Sequence, residues 1–335
     1  MRITASTLAR VAGAALVAVL CTASSASATP SYSLRVEAPG QTLDPGTFYA
    51  VRDPLGAERG ETNATGECVR APGDFQLGGR TALGVAAAAS NGSAALRPLL
   101  IVEDSFGKRI CRIDGFNETD MPFTGWLYRV NHVAPETSAE LRAIQPTDEV
   151  LWVFANFGTG SNTGDELVLS GPARSSPGAV QVSVASIAFD GTRTAAPDGT
   201  VITGGTTPAT TAGGVAAVPV AEGRTTLRAV GAGPAPTEIP SNELRLCVAA
   251  DISECPPAPG KRIVGTNLAD RFKGTAGPDQ IRTRGRKDTV RVRGGSADRV
   301  DCGSGKDKVF ADAADRLKRC ERVRLPGEGK GKKKT

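Results

Sequence analysis

The stretch that decides the fold runs from residue 270 to residue 309 and reads DRFKGTAGPDQIRTRGRKDTVRVRGGSADRVDCGSGKDKV. An aspartate recurs in it every nine residues, with a single ten-residue step, and an apolar residue follows each aspartate by two positions. The five aspartates are Asp270, Asp279, Asp288, Asp298 and Asp307, and the apolar residues are Phe272, Ile281, Val290, Val300 and Val309. Such a short fixed period predicts a coil in which each turn adds an apolar side chain to one continuous core.

This period resembles the nonapeptide calcium-binding repeat of RTX toxins, in which Gly-Gly-x-Gly-x-Asp is followed by an apolar position. The resemblance implies a short parallel β-roll over residues 262 to 325. It makes the repeat aspartates candidate Ca²⁺ ligands, because calcium prefers oxygen donors: Asp270, Asp279, Asp288, Asp298 and Asp307. Arg284 and Lys287 replace residues of the family's turns, and residues 261 to 325 carry 18 Lys or Arg against 9 Asp or Glu, a net charge of +9. A positive segment repels a dication, so a roll with Ca²⁺ and the same roll without it both stay open, and no other cofactor is expected.

The basic coil follows an acidic body. Residues 29 to 260 carry 16 Lys or Arg against 25 Asp or Glu, a net charge of −9. The coil's cations include Arg282, Arg284, Arg286, Lys287, Arg291 and Arg293. They predict contact with an anionic cell-envelope polymer; nucleic acid is not favoured because few aromatic residues interleave with them. A merely solvated basic surface is the other interpretation.

The first 28 residues predict export. Arg2 and Arg10 precede a short apolar run that ends at Leu20, and Ala26-Ser27-Ala28 offers a cleavage site. The run is about half the roughly 20 residues that a bilayer requires, which makes a signal peptide (residues 1 to 28) a better interpretation than a membrane anchor. A lipid attachment at Cys21 is favoured less. We therefore expect a secreted, extracellular protein without a membrane span.

Six cysteines remain after residue 28, and an even number in an exported chain predicts disulfides. Six cysteines allow fifteen pairings. Proximity along the chain favours three of them, namely Cys68–Cys111, Cys247–Cys255 and Cys302–Cys320.

Residues 30 to 171 form the first predicted module. Apolar residues alternate around Leu34, Trp126 and Trp152, which predicts half-buried strands, and Leu141 with Ile144 predicts a short helical turn. The stretch 125–131, GWLYRVN, followed by 148–152, DEVLW, resembles the transcobalamin-like C-terminal domain family. The resemblance implies a small mixed sheet with a helix, and in the vitamin-carrier members a surface that contacts cobalamin. Candidate ligand-binding residues are therefore Trp126, Tyr128 and Asn131, although aromatic side chains also fill small cores.

Residues 172 to 250 predict a second module. Its short strands with Gly and Pro turns indicate a small β-sandwich. The stretches 197–201, PDGTV, and 239–242, IPSN, followed by Cys247 and Val248, are similar to bacterial immunoglobulin-like or carboxypeptidase-regulatory-like sandwiches. Residues 251 to 261 are a Pro-rich linker, and residues 326 to 335 form a basic tail that we expect to be disordered. The predicted fold is mainly β and multi-module: a small α+β mixed-sheet domain, an immunoglobulin-like β-sandwich and a short parallel β-roll.

No catalytic constellation is indicated. The chain has one histidine, His132, and no Gly-x-Ser-x-Gly motif. The leading hypothesis is a secreted, non-catalytic binding or surface protein with an unidentified partner, either an anionic envelope polymer or a small ligand. The alternatives are an extracellular carrier of a corrin-like cofactor through the first module and, less favoured, a secreted hydrolase.

Overall fold

The computed structural model describes residues 28–105, 107–120, 123–156, 164–233 and 237–327. Residues 1–27 of the predicted signal peptide and residues 328–335 of the basic tail lie outside these residues. The mainly β, multi-module organisation is confirmed: strands predominate and build several sheets. No helix in the described part of the chain is long and apolar enough to cross a bilayer.

The first module contains ten strands and one α-helix. They are β1 (Ser31–Ala38), β2 (Gln41–Ala50), β3 (Leu55–Thr62), β4 (Cys68–Leu77), α1 (Ala82–Gly92), β5 (Leu99–Asp104), β6 (Gly107–Ile113), β7 (Phe116–Asn117), β8 (Thr119–Asp120), β9 (Phe123–Val130) and β10 (Glu149–Asn156). A single 3₁₀ turn, Ala94–Leu96, follows the helix. Strands β2, β1, β10, β9 and β8 are consecutive in one sheet, and β4, β3, β5, β6 and β7 form a second sheet.

Helix α1 begins at Thr81, whose side chain accepts a hydrogen bond from the backbone N–H of Gly84 at 3.0 Å. Its alanine-rich first two turns are completely or almost completely buried in the core of the first module. The helical turn predicted around Leu141 and Ile144 is wrong. A single turn does form, in which the N–H groups of Leu141 and Arg142 bond the carbonyl of Ser138, but it is not continued as a helix, because the Ile144 N–H bonds the carbonyl of Arg80. Ile144 is buried and Leu141 is exposed, so the two do not share a face.

The sandwich contains nine strands in two sheets. They are β11 (Glu166–Ser170), β12 (Arg174–Ser175), β13 (Gly178–Ile187), β14 (Arg193–Ala195), β15 (Val201–Thr203), β16 (Ala209–Thr210), β17 (Val215–Val220), β18 (Gly223–Val230) and β19 (Leu244–Val248). The predicted boundary after residue 171 is wrong. Strand β11 pairs with β13, and Leu167 and Leu169 lie in the sandwich core, so the second module already includes Glu166.

The coil contains eight three-residue strands, and a 3₁₀ turn at Ile252–Glu254 precedes it. The strands are β20 (Arg262–Val264), β21 (Arg271–Lys273), β22 (Gln280–Arg282), β23 (Thr289–Arg291), β24 (Arg299–Asp301), β25 (Lys308–Phe310), β26 (Arg316–Lys318) and β27 (Arg322–Arg324). Alternate strands stack in parallel in two sheets, with the apolar residue that follows each aspartate buried between them.

One of the two coil sheets continues the main sheet of the first module. Strand β20 pairs in parallel with β2, so that Ile263 lies opposite Phe48. The resulting nine-stranded sheet has the order β26-β24-β22-β20-β2-β1-β10-β9-β8. Along the sequence, the sandwich is therefore inserted between two segments whose strands belong to the same sheet.

The structure contains the three cysteine pairs that proximity favoured. Cys68–Cys111 joins β4 to β6 in the first module, and Cys247–Cys255 ties the end of the sandwich to the Pro-rich linker. Cys302–Cys320 links two successive turns of the coil, with a Cα–Cα distance of 5.2 Å.

Candidate functional site

The five repeat aspartates are buried in the coil and form a ladder along it. The backbone N–H of Asp270 donates to Oδ1 of Asp288, and that of Asp288 donates to Oδ1 of Asp307, both at 2.7 Å. The N–H of Asp279 donates to Oδ1 of Asp298 at the same distance. One oxygen of each of these acceptors therefore ties a turn of the coil to the turn before it.

The first two aspartates also use their second oxygen. The N–H and hydroxyl of Thr266 donate to Oδ2 of Asp270 at 2.7 and 3.0 Å. Thr275 donates in the same way to the carboxylate of Asp279. Oδ1 of Asp270 accepts from the guanidinium of Arg52, and Oδ1 of Asp279 accepts from the backbone N–H of Lys261, both at 2.7 Å. Because all four oxygens accept hydrogen bonds, Asp270 and Asp279 fit a structural role better than a cation site.

The other three aspartates each keep one oxygen without a hydrogen bond, namely Oδ2 of Asp288, Asp298 and Asp307. The residue four positions before each of these aspartates is not a threonine. It is Arg284 before Asp288, Gly294 before Asp298 and Gly303 before Asp307. Burial raises the pKa of Asp288 to about 7 and that of Asp298 to about 6, and it also raises the pKa of Asp307. A buried carboxylate without a full set of donors takes up a proton or a cation. Of the five candidate ligands, these three are the ones with an oxygen free to hold Ca²⁺.

The sheet formed by β21, β23, β25 and β27 has an outward surface that is rich in cations, which we call the basic face. Its outward side chains, apart from Thr289, are Arg271, Lys273, Arg291, Lys308, Phe310, Arg322 and Arg324. None of the six cations forms a salt bridge with a carboxylate among the described residues, and the strand positions of this sheet contain no acidic residue. The positive charge of this surface is therefore open to an external anion.

Phe310 lies in the middle of these cations. The guanidinium of Arg291 is 4.9 Å from the ring centroid, that of Arg293 is 5.5 Å away, and Nζ of Lys308 is 4.6 Å away. Cations within about 6 Å of an aromatic ring are attracted to its face. The ring thus holds three like charges together on one surface without a neutralising carboxylate.

The basic residues that the sequence singled out fall on three different surfaces. Arg291 and Arg293 belong to or adjoin the basic face, whereas Arg282 lies on the opposite sheet. Arg284, Arg286 and Lys287 are in a turn between strands, and the first two have positive φ. The predicted set omits Arg271, Lys273, Lys308, Arg322 and Arg324, which flank the central apolar residue of alternate strands of the coil.

A buried ionic cluster joins the first module to the sandwich. Glu166, at the start of β11, is completely buried and is bound by the Arg35 guanidinium, while Nδ1 of His132 lies 2.9 Å from its Oε1. Glu149 contacts Nε of Arg35 at 3.3 Å, and Arg129 lies 3.7 Å from Oε2 of Glu166.

The ligand atoms of His132, Glu149 and Glu166 lie within 4.8 Å of one another, which is close enough to hold a metal ion. The guanidinium of Arg35 already supplies the positive charge between the two carboxylates. Burial opposes ionisation of Glu166, yet its hydrogen bond with His132 and the charge of Arg35 keep its pKa below the usual value. The same hydrogen bond raises the pKa of His132. The cluster therefore connects the two modules through charge, and Oε1 of Glu149 and Oε2 of Glu166 are buried without a hydrogen bond.

The candidate ligand-binding residues of the first module lie in or beside its core. Trp126 is 8% exposed and packs edge-on against Phe154, with ring centroids 5.2 Å apart. Tyr128 stacks on Trp152 at 5.3 Å. Asn131 has positive φ and anchors a turn: its side chain donates to Asp148 at 2.9 Å and accepts from the N–H of the following strand. The structure therefore packs Trp126 and Tyr128 on two different partners of strand β10, and Asn131 directly follows the strand that carries them.

A search against protein-family models, curated proteins and solved structures finds no match for this chain. The family resemblances of the first module and of the coil therefore stay predictions from the sequence.

Proposed function

We propose that this chain is a secreted, non-catalytic binding protein that attaches to anionic polymers of the cell envelope through the basic face of its coil. The observation that carries the proposal is the set of outward cations on β21, β23, β25 and β27, which have no carboxylate partner among the described residues. The three disulfides support an oxidising, extracellular setting.

The geometry of the face suits an extended ligand. Strands of a sheet are about 4.8 Å apart, so one row of outward positions presents Arg271, Lys308 and Arg322 along the coil, and the parallel row presents Lys273, Arg291 and Arg324. A polymer with regularly spaced negative charges can contact several of these side chains together. Such binding is electrostatic and therefore weakens with added salt.

Binding to poly(glycerol phosphate), polygalacturonate and uncharged dextran tests the proposal. We expect the two anionic polymers to bind and dextran not to bind. The double variant Arg291→Gln with Arg324→Gln should weaken binding and lower the slope of log affinity against log salt by about two, as expected for two lost charge contacts.

Arg193→Gln is the matched control, because this arginine is exposed on β14 of the sandwich, outside the coil. Its binding curve should coincide with that of the wild type. Equal binding of dextran, or unchanged affinity in the double variant, would overturn the proposal. Tighter binding of double-stranded DNA than of either anionic polymer at the same salt concentration would identify nucleic acid as the partner instead.

A second candidate function is calcium binding, and the unpartnered Oδ2 atoms of Asp288, Asp298 and Asp307 favour it. Backbone carbonyls of the turns would have to complete the oxygen shell that calcium requires. Thermal unfolding with and without about 5 mM Ca²⁺, a concentration that saturates weak extracellular sites, tests the idea. A rise in Tm that is lost in Asp307→Asn, but kept in Asp301→Asn outside the ladder, supports the ion; no rise excludes it.

A further inference from the structure

A cavity of about 550 Å³ lies between the end of helix α1 and the outward surface of the coil sheet β20-β22-β24-β26. We call it the groove. Its wall comes from Gly92 to Ala94 and from the start of β2, and its floor consists of outward side chains of the four coil strands. The volume lies in the range of about 300 to 1,000 Å³ that is typical of sites for small molecules. The groove is on the opposite sheet of the coil from the basic face.

The floor of the groove carries five cations, Arg262, Arg282, Arg299, Arg316 and Lys318, against one carboxylate, that of Asp301. Arg282, Arg299 and Arg316 all line it, and none of them forms a salt bridge with a carboxylate among the described residues. Arg299 and Arg316 are direct partners in the parallel pairing of β24 with β26. Neighbouring strands are about 4.8 Å apart, and like charges directly opposite each other destabilise a sheet. An anion bound between the two guanidiniums would relieve this repulsion.

The acidic side chains in the groove are already engaged elsewhere. Asp44 accepts the hydroxyl of Tyr49 at 2.5 Å and the backbone N–H groups of Gly46 and Thr47 at 3.0 and 2.8 Å. Asp301 accepts from Arg319 on both oxygens at 2.7 Å. Neither carboxylate neutralises the Arg299–Arg316 pair, so the groove attracts a small anion.

We propose that the groove binds a phosphorylated saccharide, with its phosphate held by Arg299 and Arg316. A guanidinium donates two parallel hydrogen bonds to phosphate oxygens, and a phosphate monoester has three terminal oxygens and nearly two negative charges, which matches two facing arginines. Gln280 lies next to Arg299 in the same row and can bond sugar hydroxyls, while Leu43 and Pro45 offer apolar contact to the ring. The inference goes beyond the proposed function, because it concerns a discrete site for a small ligand on the other sheet.

Isothermal titration with glucose 6-phosphate as the probe tests the inference, alongside inorganic phosphate and glucose. We expect glucose 6-phosphate to bind, inorganic phosphate to bind more weakly and compete, and glucose not to bind. Arg299→Gln or Arg316→Gln should weaken binding about tenfold or more, because each removes a charge-assisted hydrogen-bonding group. The double variant should abolish binding.

Arg193→Gln is again the matched control, since this arginine is exposed on β14 of the sandwich, outside both the groove and the basic face. It should leave the titration unchanged, and equal Tm values will show that all variants are folded. Absence of glucose 6-phosphate binding to the wild type, or unchanged binding in the double variant, overturns the inference.

Polymer binding by the same variants separates this inference from the proposed function. If the Arg299/Arg316 double variant loses phosphosugar binding and keeps polymer binding, the groove is a separate site, as inferred. If it loses both to the same degree, the groove is part of the polymer surface and the inference fails. Phosphosugar binding by a wild type that binds no polymer would support the groove and refute the proposed function.

Discussion

The backbone N–H of Asp288 donates a 2.7 Å hydrogen bond to Oδ1 of Asp307, which lies one turn further along the coil. The same contact recurs between Asp270 and Asp288. The Oδ1 atom of each acceptor carboxylate therefore stabilises the coil, whether or not an ion binds to the Oδ2 atom. The aspartate period is therefore required for stacking of the turns, even where the turn glycines are lost.

The raised pKa values of the ladder predict that the coil is more stable in mild acid. Burial raises the pKa of Asp288 to about 7 from an ordinary value of 3.8, and that of Asp298 to about 6. Between the ordinary and the raised pKa values, the folded chain binds more protons than the unfolded chain. The free energy of unfolding therefore falls as the pH rises from about 4 to about 7. In buffer with EDTA, Tm should be higher at a pH of about 5.5 than at about 7.5.

The double variant Asp288→Asn with Asp298→Asn should reduce this dependence, because neither side chain can then titrate. Some dependence of Tm on pH should remain in the double variant. The pKa of Glu37 is raised to about 7, mainly by burial, and that of His132 is raised by its hydrogen bond with Glu166. Both act in the same direction as the ladder. An identical slope in the double variant and the wild type would show that the ladder does not titrate in this window.

Close stacking of the turns predicts that Gly303→Ala is strongly destabilising. A Cβ at this position would lie 1.9 Å from the carbonyl oxygen of Arg284, and the backbone has a φ of +74°. Steric overlap together with left-handed strain should cost about 3 kcal/mol or more. Gly294→Ala is the control: its φ is +82°, but no atom lies within 4 Å of the added Cβ, so only a strain of about 1–2 kcal/mol is expected. Urea unfolding measures the free energy of unfolding of both variants. An equal decrease in the two would show that the turns are not closely stacked at Gly303.

The ionic cluster between the first module and the sandwich predicts a large effect of Glu166→Gln. Without its charge, the buried Arg35 would lose its closest carboxylate, and removing one member of a buried pair costs about 3–5 kcal/mol. Glu58→Gln is the control, because Glu58 pairs with Arg70 on the surface and such pairs contribute at most about 1 kcal/mol. Urea unfolding monitored by the tryptophan fluorescence of the first module compares the two. If the free energy of unfolding decreases no more in Glu166→Gln than in the control, the cluster does not contribute to the stability of the fold.

The Cys302–Cys320 disulfide predicts a local stabilisation of the coil. It closes a loop with a sequence separation of 18, and by the chain-entropy argument this contributes roughly 3 kcal/mol. The variant Cys302→Ala with Cys320→Ala should therefore lose amide-exchange protection in β24 to β27, while the sandwich keeps its protection. Unchanged protection in these strands would mean that the stacked turns are stable without the bond.

Local periodicity accounts for the parts of the fold that the sequence predicted. Each apolar residue that follows a repeat aspartate, such as Ile281 or Val300, is buried in the coil core. The alternating residues around Leu34 and Trp152 likewise form strands β1 and β10. In both cases the pattern repeats within a few residues, so the buried face can be identified from neighbours along the chain alone.

Features that depend on distant residues could not be predicted in this way. Helix α1 contains only alanine, leucine, valine and one glycine in its first two turns, so it has no polar face to reveal a helical period. The Arg35–Glu166 contact joins residues that are 131 positions apart. Arg284 and Arg286 adopt positive φ, where glycine is expected, because the neighbouring turns impose the backbone conformation. The basic face could have been identified only by placing alternate strands on opposite sides of the coil.

The parallel pairing of β20 with β2 and the covalent link at Cys320 together determine how the molecule would respond to a pulling force. Tension applied at Leu325 would detach the strands one after another, because their ladder bonds are loaded in sequence and not all at once. The sulfur link would pass this load from residue 320 directly to residue 302, so strands β25 and β26 would be bypassed. The load would then act next on β24, while residues 303–319, between the two cysteines, could not be drawn out. If the coil attaches the protein to a surface, as proposed, the disulfide limits how far the chain can extend under tension.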